Sequence, residues 1–355
     1  MLVNLDDFEQ AAAAHLLPMA YDYYRGGARD ERCLFRNRQA FSDYQLAYRV
    51  LRGFAQTDLT TEVLGHRLSL PVMTAPTAFH QMAHPDGEIA SARATCSQGS
   101  LFILSTLSNK PMEEVIGQAG GPVFFQLYVY KDRKVTEDLV RRAEAAGARA
   151  LVVTVDAPVL ACREKDRRNR FTLPAGMHLA NLTGHGKEQL GEGGLQDYVA
   201  RQLDPALSWN DIEWLSGLTR LPLVVKGIVH PEDAREAAQR GVRAVVVSNH
   251  GGRQLDQAPA SLHCVQGIRQ ALPADVEVWM DGGVRRGGDV LLALALGAKA
   301  VLIGRPVLWG LAARGEEGVA QVYQQLREEL LEAALLTGCA KCSDLNPDWL
   351  ERRQS

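Results

Sequence analysis

The chain has 355 residues, of which 46% are hydrophobic and 23% charged, ordinary globular values that exclude collagen-like, coiled-coil and disordered classes. Lysine and arginine total 39 against 42 aspartates and glutamates, a formal charge of −3, so there is no basic excess with which to grip nucleic acid. A small-molecule partner is expected instead, and six scattered cysteines between Cys33 and Cys342 fit a reducing compartment better than a secreted disulfide scaffold.

The stretch Met1 to Glu9 carries three acids and no cationic flank, so the Ala11 to Ala14 run does not read as a secretory signal. Residues 1 to 60 read as a helical cap, too short to bury a core alone. Short, nearly continuous apolar runs then recur at Pro71 to Ala75, Leu101 to Ser105, Val123 to Leu127 and Leu151 to Val155. Four more follow at Pro222 to Lys226, Ala244 to Ser248, Glu277 to Asp281 and Ala300 to Gly304, all of the kind a parallel sheet covered on both faces requires.

Helical patterns alternate with them: Asp86 to Gln98, Pro111 to Gln118, Lys134 to Ala146, Pro231 to Arg240, Pro259 to Ala271 and Arg286 to Leu296. Eight strand–helix units predict an α/β fold of the (β/α)₈ TIM-barrel type, a single domain over 1–355, with cap 1–60 and barrel plus closing helix 61–345. The connection after the fourth strand is long, and Gly176 to Gly194 reads as a mobile active-site loop. The most apolar stretch, Val290 to Ala313, is broken by Lys299 and Arg305, so no membrane span is expected. Glu351 to Ser355 carries no Ser-Lys-Leu address, and a cytoplasmic location is expected.

Barrel enzymes work at the carboxyl ends of their strands, and here those ends carry Thr77, Ser105, Gln126 with Tyr128, Thr154, Lys226, Ser248 with His250, Asp281 and Arg305. Asp281 to Arg285, with Gly283 inside it, and Gly304-Arg305 combine glycines that let backbone N–H groups approach an anion with arginines that bind it bidentately. That points to phosphate rather than to two tight turns with solvated arginines. On the Ser248 to Asp256 loop, His250 offers a base of near-neutral pKa and Arg253 a carboxylate anchor, a pairing suited to acid substrates. Within the charged run Arg163 to Arg170 only Arg163 is given a site role, the rest reading as solvated surface. His80 and His84 read as structural, so no metal is expected, and Cys339 with Cys342 read as ordinary thiols.

With these blocks, and with Asp22-Tyr23-Tyr24, Ala75 to Ala78, Phe125 to Tyr128, Thr154-Val155-Asp156 and Val225-Lys226-Gly227, the chain resembles the FMN-dependent L-2-hydroxy acid oxidase family, which includes glycolate and lactate oxidases. The resemblance covers nearly the whole chain. It implies FMN as cofactor, and oxidation of a small L-2-hydroxy acid to the 2-keto acid with O2 reduced to H2O2. It further implies a homotetramer. It makes His250 the base, with Tyr128 and Lys226 also catalytic. Arg163 and Arg253 become the carboxylate clamp, and Tyr23 with Tyr128 substrate contacts. Lys226 would sit beside the flavin N1 and C2 carbonyl. Asp281, Gly283, Arg285, Gly304 and Arg305 would hold the phosphate and ribityl chain; Ala78, Ser105, Gln126, Thr154 and Ser248 would contact the ring.

Leu107 stands where glycolate oxidases usually carry tryptophan, and Phe79 replaces a frequent methionine. L-lactate or a longer aliphatic acid is therefore expected to outperform glycolate. The alternatives are a dehydrogenase of the same family using a non-oxygen acceptor and, further off, a non-redox phosphate-binding barrel.

Overall fold

Runs such as Leu151–Thr154 and Ala244–Val247 are buried at every position, an arrangement that only a sheet covered on both faces permits. In the computed structural model, which describes residues 2–352, eight such strands close into a parallel barrel. They are β1 (Val72–Thr74), β2 (Phe102–Leu104), β3 (Val123–Leu127), β4 (Leu151–Thr154), β5 (Leu223–Ile228), β6 (Ala244–Val247), β7 (Glu277–Asp281) and β8 (Ala300–Ile303). Closure is made by β8 pairing with β1 through Val301 opposite Val72 and Ile303 opposite Thr74.

Alternation along the strands splits the core in two. Met73, Ile103, Phe124, Val152, Val224, Val246, Trp279 and Leu302 form one buried cluster, and the stacking of Phe124 on Trp279 from the opposite side of the barrel, centroids 6.1 Å apart, places it in the interior. Val63 and Leu68 join that cluster from the hairpin Thr61–Val63/His66–Leu68, which plugs the amino-terminal mouth. The intervening residues pack outward against the helices, so the chemistry is left to the carboxyl-terminal mouth.

The expected helices form within a residue or two of their sequence bounds, for example Arg133–Ala146, ended by Gly147 in the left-handed region. The cap consists of helices Leu5–His15, Pro18–Arg25 and Arg32–Gln39, the first lying against the long carboxyl-terminal helix Arg305–Thr337. That helix breaks at Arg314-Gly315. An antiparallel pair, Tyr44–Leu46 with Leu350–Arg352, ties the cap to the end of the described chain.

The stretch after β4 is packed. It contains a 3₁₀ turn at Ala180–Leu182 and a helix at Gly194–Gln202, and Leu179, Leu182, Leu190 and Leu195 are buried. A further helix, Trp209–Leu218, opens on a reciprocal Ser208/Asp211 cap. The three residues Arg353 to Ser355, part of the tail read above for a targeting address, lie outside the described residues. No described helix is long and apolar enough to cross a membrane.

Candidate active site

After β6 the backbone takes three left-handed residues in succession, His250, Gly251 and Gly252, with φ of 60°, 62° and 75°. The conformation is cheap for glycine and costs about 1–2 kcal/mol for a residue with a Cβ. It is held by the neighbourhood: Asn249 Oδ1 accepts from Gly252 N, and the Ser248 hydroxyl oxygen accepts from His250 N. A side chain at position 252 would collide with the Leu34 backbone, so glycine there lets the cap dock on the loop.

The result is a histidine aimed into a cavity with its Nδ1 2.9 Å from Asp156 Oδ1. A carboxylate partner fixes the proton on Nδ1 and leaves the Nε2 lone pair free. Burial, with the Lys226 and Arg163 charges, lowers the His250 pKa below its ordinary value, and Asp156 only partly offsets this. Asp156 is itself buried, yet the His250 partnership keeps its carboxyl below the usual range. Lys226 donates to Ser248 Oγ at 2.9 Å and pairs with Asp281 Oδ2 at 3.1 Å. Burial works against its charge, but Asp281 and Asp156 prevail and its pKa is raised.

Across the cavity Arg163, 5% exposed, has its pKa pulled down to about 10 by burial and by Arg253. The nearest carboxylate it pairs with, Asp166, is 4.0 Å away. Arg253 donates to the carbonyls of Tyr23 and Gly26 and lies 4.9 Å over the Tyr23 ring, which stacks on Phe171 at 4.3 Å. Burial pushes the Tyr128 hydroxyl far above its ordinary pKa, so it remains a neutral donor. Tyr23, Tyr128, Arg163, Arg253 and His250 all face one cavity.

At the far end of that cavity stand Asp281, Gly283, Arg285, Gly304 and Arg305. Burial, with Arg38 beside it, takes the Arg285 pKa down to about 10, and burial together with Arg253 and Arg285 takes that of Arg305 well below its ordinary value. Arg285 Nε and Asp281 Oδ1 are buried without a partner. Arg305 donates to backbone carbonyls of Tyr24, Gly26 and Gly251, and neither guanidinium has a carboxylate partner among the described residues. Two half-buried cations without carboxylate partners call for an anion, and the orphaned Asp281 oxygen can take a hydroxyl. The residues present therefore fit a flavin carrying a ribityl phosphate.

Ala78 and Ser105 also line the cavity, and Gln126, Thr154 and Ser248 are hydrogen-bonded into the same strand-end layer. Gln126 accepts from Ser105 Oγ and donates to Thr154 Oγ1 at 3.0 Å. Two features escaped the sequence reading. One is Asp156, two residues beyond β4 and so at a strand end where polar residues merit inspection. The other is the apolar arc that Leu160, Leu195, Val199 and Leu203 complete beside the expected Leu107 on the cavity wall; the last three share a four-residue spacing, one face of a helix. His80 is buried, bonded to Thr77 and Ser91 and pushed down to about 3 by burial. Cys339 and Cys342 are buried free thiols.

The sequence pattern of the FMN-dependent dehydrogenase family matches residues 12–352. The chain is 51% identical over 356 residues to the L-lactate oxidase of Nostoc sp. strain PCC 7120, covering 98% of each protein. It belongs to the FMN-dependent 2-hydroxy acid oxidase family. Identity to human 2-hydroxyacid oxidase 1 is 49%, over 95% of this chain and 93% of that one. To spinach (Spinacia oleracea) glycolate oxidase it is 46%, over 97% and 94%. Among solved structures, a mandelate oxidase superposes with a TM-score of 0.93 at 40% identity, over 100% of this chain and 99% of that one. The cofactor of this oxidase is FMN.

Proposed function

We propose that the enzyme oxidises L-lactate or a longer aliphatic L-2-hydroxy acid in preference to glycolate, giving the 2-keto acid, with O2 reduced to H2O2. The observation that carries this is the apolar arc Leu107, Leu160, Leu195, Val199 and Leu203, which shares one cavity with the guanidinium clamp. Glycolate has no carbon to place against it, and each methylene buried there is worth ~1–3 kcal/mol.

Bound FMN supplies the chemistry of accepting two electrons from the substrate carbon and passing them to dioxygen. The chain's own residues do the rest. Arg163 and Arg253 hold the carboxylate through parallel donors, and the Tyr23 and Tyr128 hydroxyls orient it. His250 Nε2 takes the proton, and Asp156 stabilises the imidazolium that results, as a carboxylate behind a catalytic histidine does. Lys226 provides a fixed positive charge toward the flavin ring, and the apolar arc keeps water off the reacting carbon. Gln126 and Thr154 brace Ser105.

The reading includes self-association as a homotetramer in the cytoplasm. Tyr48, Val50 and Leu51 are exposed, and the bond from Arg49 N to Thr337 O sets them beside exposed Leu335 and Leu336, an apolar patch of the kind that buries against a second copy. Light scattering tests the tetramer and cell fractionation the location.

The deciding experiment is kcat/KM of the yellow holoenzyme for glycolate, L-lactate and L-2-hydroxyoctanoate, with peroxide assayed. A glycolate maximum overturns the substrate assignment. Reduced enzyme that does not reoxidise rapidly in air overturns the acceptor.

A further inference from the structure

We propose that a second cavity, beside the catalytic one, is the entrance for the anionic substrate, and that Arg167 and Arg170 draw the carboxylate into it. This rests on the reading that the substrate is a 2-hydroxy acid. The cavity is about 410 Å³ and shares Leu160, Arg163 and Leu195 with the catalytic cavity. Arg163 thus faces both rooms, so a carboxylate held in the outer one already meets half of the inner clamp.

The charged run that reads as featureless in the sequence is sorted by the structure. Lys165 and Arg168, which do not line the outer cavity, are neutralised by Glu31 at 3.4 Å and Glu164 at 2.5 Å. Arg167 and Arg170 do line it, are exposed, and have no ion-pair partner among the described residues. Arg170 also holds a left-handed backbone, φ 47°, rare for a long side chain and costly to maintain. Two carboxylates, Asp166 and Glu192, share the wall, so the guanidiniums Arg163, Arg167 and Arg170 outnumber the acids there on a chain whose total charge is −3.

A concave region with a local excess of one charge focuses the field and raises the encounter rate of oppositely charged ligands by ~10–10³-fold. Exposed charges act this way only at low salt, because they are screened over about 10 Å at ordinary ionic strength. Arg167 and Arg170 are therefore assigned to delivery, and Arg163 and Arg253 to retention.

The test uses FMN-loaded enzyme and oxalate, an unreactive carboxylate whose binding is read as a change in flavin absorption by stopped flow. Wild type is compared with Arg167→Gln/Arg170→Gln and Arg167→Lys/Arg170→Lys between ~10 mM and ~500 mM salt. The glutamine pair should slow association ~5–10-fold at low salt and converge on wild type at high salt. The lysine pair, which keeps the charge, should match wild type throughout. Equal association at low salt overturns the proposal, as does a defect that persists at high salt or a lysine pair as slow as the glutamine pair. Failure of the functional reading looks different: wild-type flavin then neither responds to oxalate nor is reduced by any 2-hydroxy acid, and both ideas fall together.

Discussion

The end of the cavity proposed to take the cofactor is built from the ends of β7 and β8, where Gly283, Arg285, Gly304 and Arg305 follow directly on barrel strands. The acid-facing end leans on the insertion between β4 and β5, which delivers Arg163, Leu195, Val199 and Leu203 from segments outside the barrel's regular repeat. A constant phosphate can be met by backbone and fixed charge. A variable side chain has to be met by side chains, and placing them on an insertion lets the pocket change without disturbing strand register.

The sharpest way to separate the two ends is His250→Ala. Turnover should fall ~10²–10⁴-fold while the flavin stays bound with an unchanged absorption spectrum; loss of both together would mean the ends are not independent. Next in size, Arg285→Gln should weaken FMN binding ~10–100-fold, since a hydrogen bond to a charged group contributes about 1.5–3 kcal/mol. The refilled enzyme should keep its kcat, with fluorescence titration of the apoprotein as the measurement. Leu107→Trp, which touches only the acid end, should shift the ratio of kcat/KM for lactate over glycolate ~10-fold toward glycolate, leaving FMN affinity alone.

The smallest effect is in pH. With His250 as the proposed neutral base, kcat/KM should be retained above its pKa and lost as pH falls through it. Because burial and the neighbouring cations lower that pKa, the acid limb should lie below the ordinary histidine value of about 6.5. Asp156→Asn, which removes the group that raises it, should move the limb lower still while reducing kcat. A limb above ~6.5 would contradict the electrostatics described here.

The same contrast explains what could be read without coordinates. The strands and both phosphate-facing loops carry local signals: continuous apolar runs, and glycine beside arginine at strand ends. Asp156 does not, because its partner His250 is far off in sequence and only the pairing of β4 and β6 on either side of β5 brings their loops together. Helix Gly194–Gln202 was hidden by Gly191, Gly193 and Gly194, which suggest a loop. What stabilises it is burial of Leu195 and Val199, a tertiary effect that outweighs local propensity. Trp209–Leu218 was legible in principle, since Ser208 and Asp211 stand at capping-box spacing.

The pairing of Tyr44–Leu46 with Leu350–Arg352 has a consequence for biosynthesis. Carbonyls of Tyr23, Tyr24 and Gly26 receive Arg253 and Arg305, so the cap helices are anchored by guanidiniums translated long after them and by a strand translated later still. A nascent chain can assemble strands of its barrel during elongation, but the wall of the cavity that carries Tyr23 and Tyr24 is fastened only after Leu350–Arg352 has been made.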